Sequence, residues 1–566
     1  MKNTNTFCTL ICSYFLLTIT LSAQNFEWVK AFGGQGIETD LSIAIDALGN
    51  VYTTGSFIDV VDFDPGPNIF NLTSQGYEDI FIVKLDSNGD FIWAKRIGGI
   101  EEDIPNSIAL DASGNVYTTG YFEDVVDFDS GVGTYNLTSN GVTDIFISKL
   151  DTDGNFVWAK SMGGLSSDFA LSIVLDAMGN VFTTGSFIGT VDFHPGVGTF
   201  NLTSSGSEDI FISKLSTDGD FIAALRFGGV SRDRAHSITL DDVGNVYTAG
   251  YFEGTVDFNP GLGVFNLTSE GDKDIFISKL DASANFIWAK KIGGPATDEA
   301  FSIALDATGN IFTTGSFSGT VDFNPGAQLF YHTSAGTKDI FISKLNTNGD
   351  FIWARRMGGV EDDIGLSMTL DASGNVYTTG TFKETVDFDP KPPSVYNLTS
   401  AGFTDIFISK LDTSGNFVWA NSIGSTGSEL TSFLTLDTSG NIYTTGSFAF
   451  TIDFDPGNGV EILTPNGSVD VFIQKLNSNT LSVSDNIFEK SLTVFPNPTQ
   501  EKSTIELGAL YNDITLTIRT ITGQLIATTN YKATRTIDFS IKGNSGLYFA
   551  EIRADNKRAA LKIIKQ

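Results

Sequence analysis

The 566-residue chain has almost no cysteine: Cys8 and Cys12 are the only two, and both lie in an apolar run at the N-terminus. Beyond that run, a disulfide framework and thiol chemistry are excluded. Histidine is nearly as scarce. His194, His236 and His332 fall at non-equivalent places, so they form no repeated metal site, and no Ser, His and Asp arrangement for nucleophilic catalysis is evident. Basic residues are outnumbered, 34 Lys and Arg against 67 Asp and Glu, for a net charge of −33. Nucleic acid and anionic lipid surfaces would meet like charge and are poor partners. After residue 21 no stretch is long and apolar enough to span a bilayer. What is abundant is Gly (59) and Phe (47), with charged residues at only 18%, a composition of short apolar strands joined by glycine turns.

The N-terminus reads Met1-Lys2, an apolar run from Phe7 to Leu21, then Ser22-Ala23 before Gln24. This resembles a secretory signal peptide over residues 1–23, since the apolar core is short for a membrane span and Ala23 is the small residue required before the cut. The mature chain would then contain no cysteine and no transmembrane segment. Ile11, ahead of Cys12, is too large for the usual lipoprotein signal.

Trp28, Trp93, Trp158, Trp288, Trp353 and Trp419 set a ruler of 65 residues, doubled once and stretched to 66 at the end. The missing tooth is Ala223. Asp-Phe pairs opening at Asp62, Asp127, Asp192, Asp257, Asp322, Asp387 and Asp453 keep the register, as do the Asp residues opening each "DIFISKL" from Asp79 to Asp405 and "DVFIQKL" at Asp470. Seven units follow. In the third, Leu171 to Asp176, Asn180 to Phe187, Asp209 to Leu215 and Phe221 to Phe227 predict four up-and-down strands. Tight turns join the first two and the last two, and a long excursion through "VDFHPGVGTF" joins the middle pair. Both faces of "DIFISKL" are largely apolar, which requires a neighbouring sheet on each side and points to radially stacked blades. The seventh unit lacks a fourth strand, and Asn25 to Gly34 is a spare copy. The expectation is an all-β, seven-bladed β-propeller over residues 24–481, closed by its N-terminal strand.

The patterns "DASGNVYTTG" and "TDIFISKLDTDGNFVWAKSMGG" resemble the bacterial β-propeller repeats called SBBP, over roughly residues 25 to 480. That resemblance implies a fold and says little of function. From residue 482 to 566 the ruler stops and six short alternating segments predict a small β-sandwich: Ser503 to Leu507, Ile514 to Thr520, Gly523 to Thr529, Thr536 to Ile541, Gly546 to Ile552 and Ala559 to Lys565. "VFPNP", "TGQLI", "SGLYFAEI" and "KIIK" are similar to the C-terminal sorting domain of type IX secretion substrates. The resemblance implies that Pro496, Asn497, Pro498, Gly546, Tyr548, Lys562 and Lys565 belong to the sorting signal, that the secretion machinery is a partner, and that the protein is secreted or held at the outer-membrane surface.

Propeller topology would gather the excursions and the inter-blade acids Glu38, Asp103, Asp168, Asp233, Asp298, Asp363 and Glu429 on one face. Asp62 with Asp64, Asp127 with Asp129, Asp387 with Asp389 and Asp453 with Asp455 are candidate metal ligands there, and an all-oxygen set suits Ca²⁺. The alternative is that the first Asp caps a turn and the Phe beside it packs between blades; His194, Asn259 and Asn324 replace the second Asp in three units. The "DTDGN" turns lack the remaining ligands of an EF-hand and read as hairpins, and the "NLTS" runs read as strand or loop. Seven near-equivalent units favour a non-enzymatic binding or adhesion protein for an extracellular protein or glycan. A propeller glycosidase or lyase using two loop carboxylates, and a purely structural envelope component, are the alternatives.

Overall fold

In a computed structural model the chain is described over residues 25–457, 459–477, 492–500, 502–520, 525–542, 545–554 and 557–566. The expected signal peptide and the expected boundary at 481/482 lie outside these residues. Two compact units emerge, one within Gln24–Ser478 and one within Asn479–Gln566. Every named element is a β-strand, and no helix among the described residues is long and apolar enough to cross a membrane.

In the first unit six four-stranded antiparallel sheets follow the chain in order. The first contains Glu38–Ile45, Val51–Phe57, Asp79–Leu85 and Phe91–Ile97. In the second the strands are Asp103–Leu110, Val116–Phe122, Asp144–Leu150 and Phe156–Met162. The seventh sheet draws three strands from Leu430–Leu436, Ile442–Phe448 and Asp470–Asn477, and its fourth is the N-terminal strand Asn25–Gly34, antiparallel to Asp470–Asn477 with Val29 opposite Gln474 and Ala31 opposite Phe472.

The apolar faces of one strand serve two different cores. Phe146 and Leu150 pack with Tyr52, Ile80 and Trp93 of the first sheet, whereas Ile145 and Ile147 pack with Phe187, Phe211 and Leu215 of the third. Such a core recurs between each pair of successive sheets, and one more joins Phe32, Tyr443 and Ile473 of the seventh to Ile43, Phe57 and Phe81 of the first. Phe63 and its equivalents from Phe128 to Phe454 are completely buried in these cores, where Phe63 lies 5.3 Å from Phe57 and 5.1 Å from Phe81 between ring centroids. Each such side chain contributes about 1.5–3 kcal/mol. Every first strand carries a bulge, between Asp40 and Ser42 in the first sheet, and in the first six the residue after it is a serine whose hydroxyl serves the next sheet: Ile108 N donates to Ser42 Oγ at 3.2 Å and Ile173 N to Ser107 Oγ at 3.3 Å.

The turns follow their sequence chemistry. Asp151 Oδ1 accepts the N–H groups of Asp153 and Asn155, and Gly154 takes a φ of +77°. The excursion is more ordered than the sequence suggests. Val60–Asp62 pairs with Asn71–Thr73 as a short ribbon, and in the third sheet the ribbon is continuous with strands Val181–Asp192 and Asn201–Leu215.

In the second unit five strands form one antiparallel sheet: Thr493–Phe495, Lys502–Thr520, Leu525–Ser540, Gly546–Ala554 and Lys557–Lys565. Four of the six expected segments are thus merged into two long strands, and the hydrogen bonding is that of one sheet rather than two. The register breaks between Glu506 and Tyr511, where Gly508 has a φ of +75°, and the buried set changes phase from Ser503, Ile505 and Leu507 to Ile514, Leu516 and Ile518. Both halves of Lys502–Thr520 therefore face the same core, with Ile537, Tyr548, Ile552 and Ile563.

Candidate functional site

Asp62 and Asp64 lie in a tight loop whose backbone N–H groups turn to one oxygen of each carboxylate. Asp62 Oδ1 accepts from Asp64 N at 3.1 Å and Phe70 N at 2.8 Å, and Asp64 Oδ1 from Gly66 N at 2.8 Å. The same bonds recur at Asp127 with Asp129, Asp387 with Asp389 and Asp453 with Asp455. His194 Nδ1, Asn259 Oδ1 and Asn324 Oδ1 accept from the N–H two residues on in the same way, which explains why Asp, Asn and His interchange there. Each pair stays in its own loop. Among the described residues no group of three or more His, Cys, Asp or Glu side chains is placed to hold a metal ion.

The inter-blade acids are completely buried. Asp103 Oδ2 accepts from Gly99 N at 2.7 Å and Oδ1 from Glu123 N at 3.3 Å, while Asp103 N donates to Glu78 O at 2.8 Å. One residue thus ties the end of one sheet to the start of the next. Asp168, Asp233, Asp298 and Asp363 repeat both carboxylate bonds. Beside each lies a second buried acid that sequence reasoning used only as a register marker: Asp79, Asp144, Asp209, Asp274, Asp339, Asp405 and Asp470. Asp79 Oδ2 accepts from Gln75 N and Arg96, whereas Oδ1 of all seven is buried without a hydrogen-bond partner. Burial pushes Asp103 up to about 8, and the charge of Asp79 adds to the rise against the two N–H bonds. Glu38, Asp168, Asp233, Asp298 and Asp363 rise to about 7 for the same leading reason. The recurrence of an Asp at the first position of a buried strand in all seven units was the available signal.

The solvent-facing repeat is apolar. The excursion tips carry Ile69, Val132, Val197, Leu262, Leu329, Val395 and Val460, all exposed. Next to the tip an aromatic ring lies on the outer strand of the same sheet: Phe70 on Phe91 at 4.9 Å, Tyr135 on Phe156 at 4.9 Å and Tyr396 on Phe417 at 4.7 Å. Ile92, Val157, Ile222, Ile287 and Ile352 extend this stripe along the outer strands. Sequence reasoning missed it because an apolar residue in a glycine-rich loop has no periodicity.

In the C-terminal unit the implied signal residues come together around the last strand. Asn497 Nδ2 donates to Lys562 O and Asn497 Oδ1 accepts from Ile564 N, both at 2.8 Å. Gly546 lies opposite Lys565, whose Nζ donates to Ile541 O at 2.9 Å, and Ser503 Oγ donates to Pro496 O at 3.0 Å. Tyr548 is buried.

Residues 493–566 match the family described as secretion system C-terminal sorting domain, and residues 92–121 the β-propeller repeat. The chain carries SBBP-type propeller repeats and a type IX sorting domain. The sorting domain marks it for export by the type IX machinery to the cell surface or extracellular space. Among curated proteins it is similar to an uncharacterized WD repeat-containing protein of Acanthamoeba polyphaga mimivirus, 24% identical over 64% of this chain and 32% of that one. It is also similar to the regulatory protein FlaEY of Caulobacter vibrioides, 23% identical over 60% of this chain and 35% of that one. The matches thus span about a third of these relatives. Sqt1 from Chaetomium thermophilum aligns over 80% of this chain and 99% of its own at 10% identity, with a TM-score of 0.38.

Proposed function

We propose that this is a non-enzymatic binding or adhesion protein whose repeats close into a seven-bladed propeller and whose outer rim presents the same apolar contact many times to an extracellular protein or glycan. The observation that carries the reading is the recurring rim of exposed tip and stacked aromatic, because equivalent weak contacts on one rigid body combine through effective concentration. Closure is supported by the N-terminal strand in the seventh sheet and by the core between the seventh and first sheets. The non-enzymatic reading is supported by the acids themselves: the strand-opening and inter-blade acids are buried between sheets, and each loop acid holds backbone N–H groups on its Oδ1.

The test has two arms. Cells producing the chain without residues 493–566 should retain it inside the outer membrane, while the full chain reaches the surface or medium. The exported chain should bind on a glycan or extracellular-protein array, and replacing Val132, Val197 and Leu262 together by Ser should lower the signal at least tenfold. Turnover of a polysaccharide that is lost on a single Asp→Asn change would overturn the non-enzymatic reading.

A further inference from the structure

One position breaks the repeat. In the other outer strands the position holds a tryptophan, and in five of them its N–H lies on a turn carbonyl of the next sheet, among them Trp93 Nε1, which donates to Thr152 O at 3.2 Å, Trp158 to Thr217 O at 3.2 Å and Trp353 to Thr413 O at 3.4 Å. The indole stands edge-on to the aromatic of its own second strand, as Trp93 does to Tyr52 at 6.2 Å. At the seam between the third and fourth sheets the outer strand has Ala223, the second strand has Phe182, and the carbonyl in the position of Thr152 belongs to Ala282.

The facing turn has changed in step. A Cβ on Gly154 would meet Lys95 Cε at 2.6 Å and Trp93 Cδ2 at 3.1 Å, and one on Gly219 would meet Lys160 Cε at 2.7 Å and Trp158 Cδ2 at 3.2 Å; at the Ala223 seam the lysine position is Leu225 and the turn position is Ala284, a non-glycine residue at a φ of +66°. Even with that methyl in place the seam is not filled. A small cavity of about 30 Å³ remains among Phe182, Lys214, Ala223, Leu225, Ala282 and Ala284. It shares Ala223, Leu225 and Ala284 with an open groove of about 610 Å³ that runs past Phe221, Ile222, Asn285 and the exposed Leu262.

We propose that this groove is a single recognition site for a tryptophan side chain on an extended segment of a partner protein, the partner's indole taking the place that the chain's own indole takes at the neighbouring seams. The occupant is read from the molecule itself. At the neighbouring seams the geometry selects a flat bicyclic ring with an N–H at its edge, and here the aromatic wall and the acceptor carbonyl are kept while the ring is missing. Phe221, Ile222 and Leu262 give apolar contact to flanking residues, and Asn259, Ser283 and Asn285 line the same groove with groups that hydrogen-bond a peptide backbone. The groove shares Ile222 and Leu262 with the repeated rim, but Ala223 belongs to the groove alone, so loss of Trp-peptide binding on A223W would leave the multivalent reading standing.

The test is calorimetric titration of the full chain with an acetylated, amidated pentapeptide, Gly-Ser-Trp-Ser-Gly, and with the same peptide carrying Leu for Trp. Saturable binding of one Trp peptide per chain is expected, weakened at least tenfold by Trp→Leu in the peptide and by A223W in the protein. The double variant A223W/A284G restores both the indole and the turn glycine of the neighbouring seams, so it should fold and likewise fail to bind should A223W alone misfold. No binding by the unaltered chain, or equal binding by A223W/A284G, would overturn the proposal.

Discussion

Asp103 offers a sharp test of how the sheets are latched. Its carboxyl is buried and pushed from 3.8 up to about 8, chiefly by burial, so the folded chain holds a proton there that the unfolded chain has released by neutral pH. For an acid raised on folding, the stabilising contribution is complete below the unfolded value of 3.8 and is withdrawn as the pH climbs through about 8. A rise of roughly four pH units at about 1.4 kcal/mol each corresponds to about 5–6 kcal/mol between pH 4 and pH 9. Asp103→Asn removes the ionisation but replaces one of two acceptors, those facing Gly99 N and Glu123 N, with a donor, at a cost of about 1–3 kcal/mol. The variant should therefore be less stable than the parent at pH 5 and more stable at pH 9. Denaturant unfolding followed by tryptophan fluorescence reads this directly, since all six tryptophans lie in the repeat unit. A difference between variant and parent that does not change with pH would refute the reasoning.

The turn aspartates run the other way: three or more hydrogen bonds hold Asp111, Asp151, Asp176 and Asp371 below the usual carboxylate range despite some burial, so their contribution is lost as pH falls, and the parent should be most stable near pH 5 in a thermal series. Trp93→Ala should cost about 3–5 kcal/mol and Gly154→Ala about 1–2 kcal/mol or more, but together less than their sum by about 0.5–3 kcal/mol, because removing the indole leaves room into which the methyl and the Lys95 stem it displaces can move; additive unfolding energies would contradict the pairing. Asp62→Ala should destabilise by about 1–3 kcal/mol through two unsatisfied N–H groups. Excess chelator should leave the parent's melting temperature unchanged, and a fall of several degrees would support the calcium reading of these loops instead. Asn497→Ala, which frees Lys562 O and Ile564 N, should lower export measured by surface immunoblot more than it lowers total protein.

The repeat carried most of the architecture in plain view. A strict spacing places Trp, Asp-Phe and "DIFISKL" on successive sheets, and the spare strand at the N-terminus takes the place of the missing fourth strand, its last residues Gly33 and Gly34 also pairing with Asp62 and Val61. The acids were harder to read because sequence shows that a carboxylate is present but not what its lone pairs meet. Asp62 and Asp64 have the spacing of a cation loop and of an Asx turn alike, and the N–H groups that meet Asp62 come from residues two and eight positions on. Asp79 was overlooked because a residue opening a buried strand looks like a cap. The Ala223 gap was visible as a missing tooth, whereas its partner Ala284 gains meaning only when the two sheets are side by side. In the C-terminal unit Gly508 reads as a strand end, yet the chain bends there and goes on pairing.

The most direct test of the central claim is a disulfide across the closing strands. Asn25 and Asn477 are opposed at the end of the pairing between Asn25–Gly34 and Asp470–Asn477, and directly opposed antiparallel residues have Cα atoms about 4.5–5.5 Å apart, within disulfide reach. In chain lacking Cys8 and Cys12, N25C/N477C should oxidise to an intramolecular bond, seen by mass spectrometry of the joined peptides and by raised resistance to denaturant that dithiothreitol abolishes. Free thiols after oxidation, or a bond only between chains, would show that the N-terminal strand does not complete the last sheet.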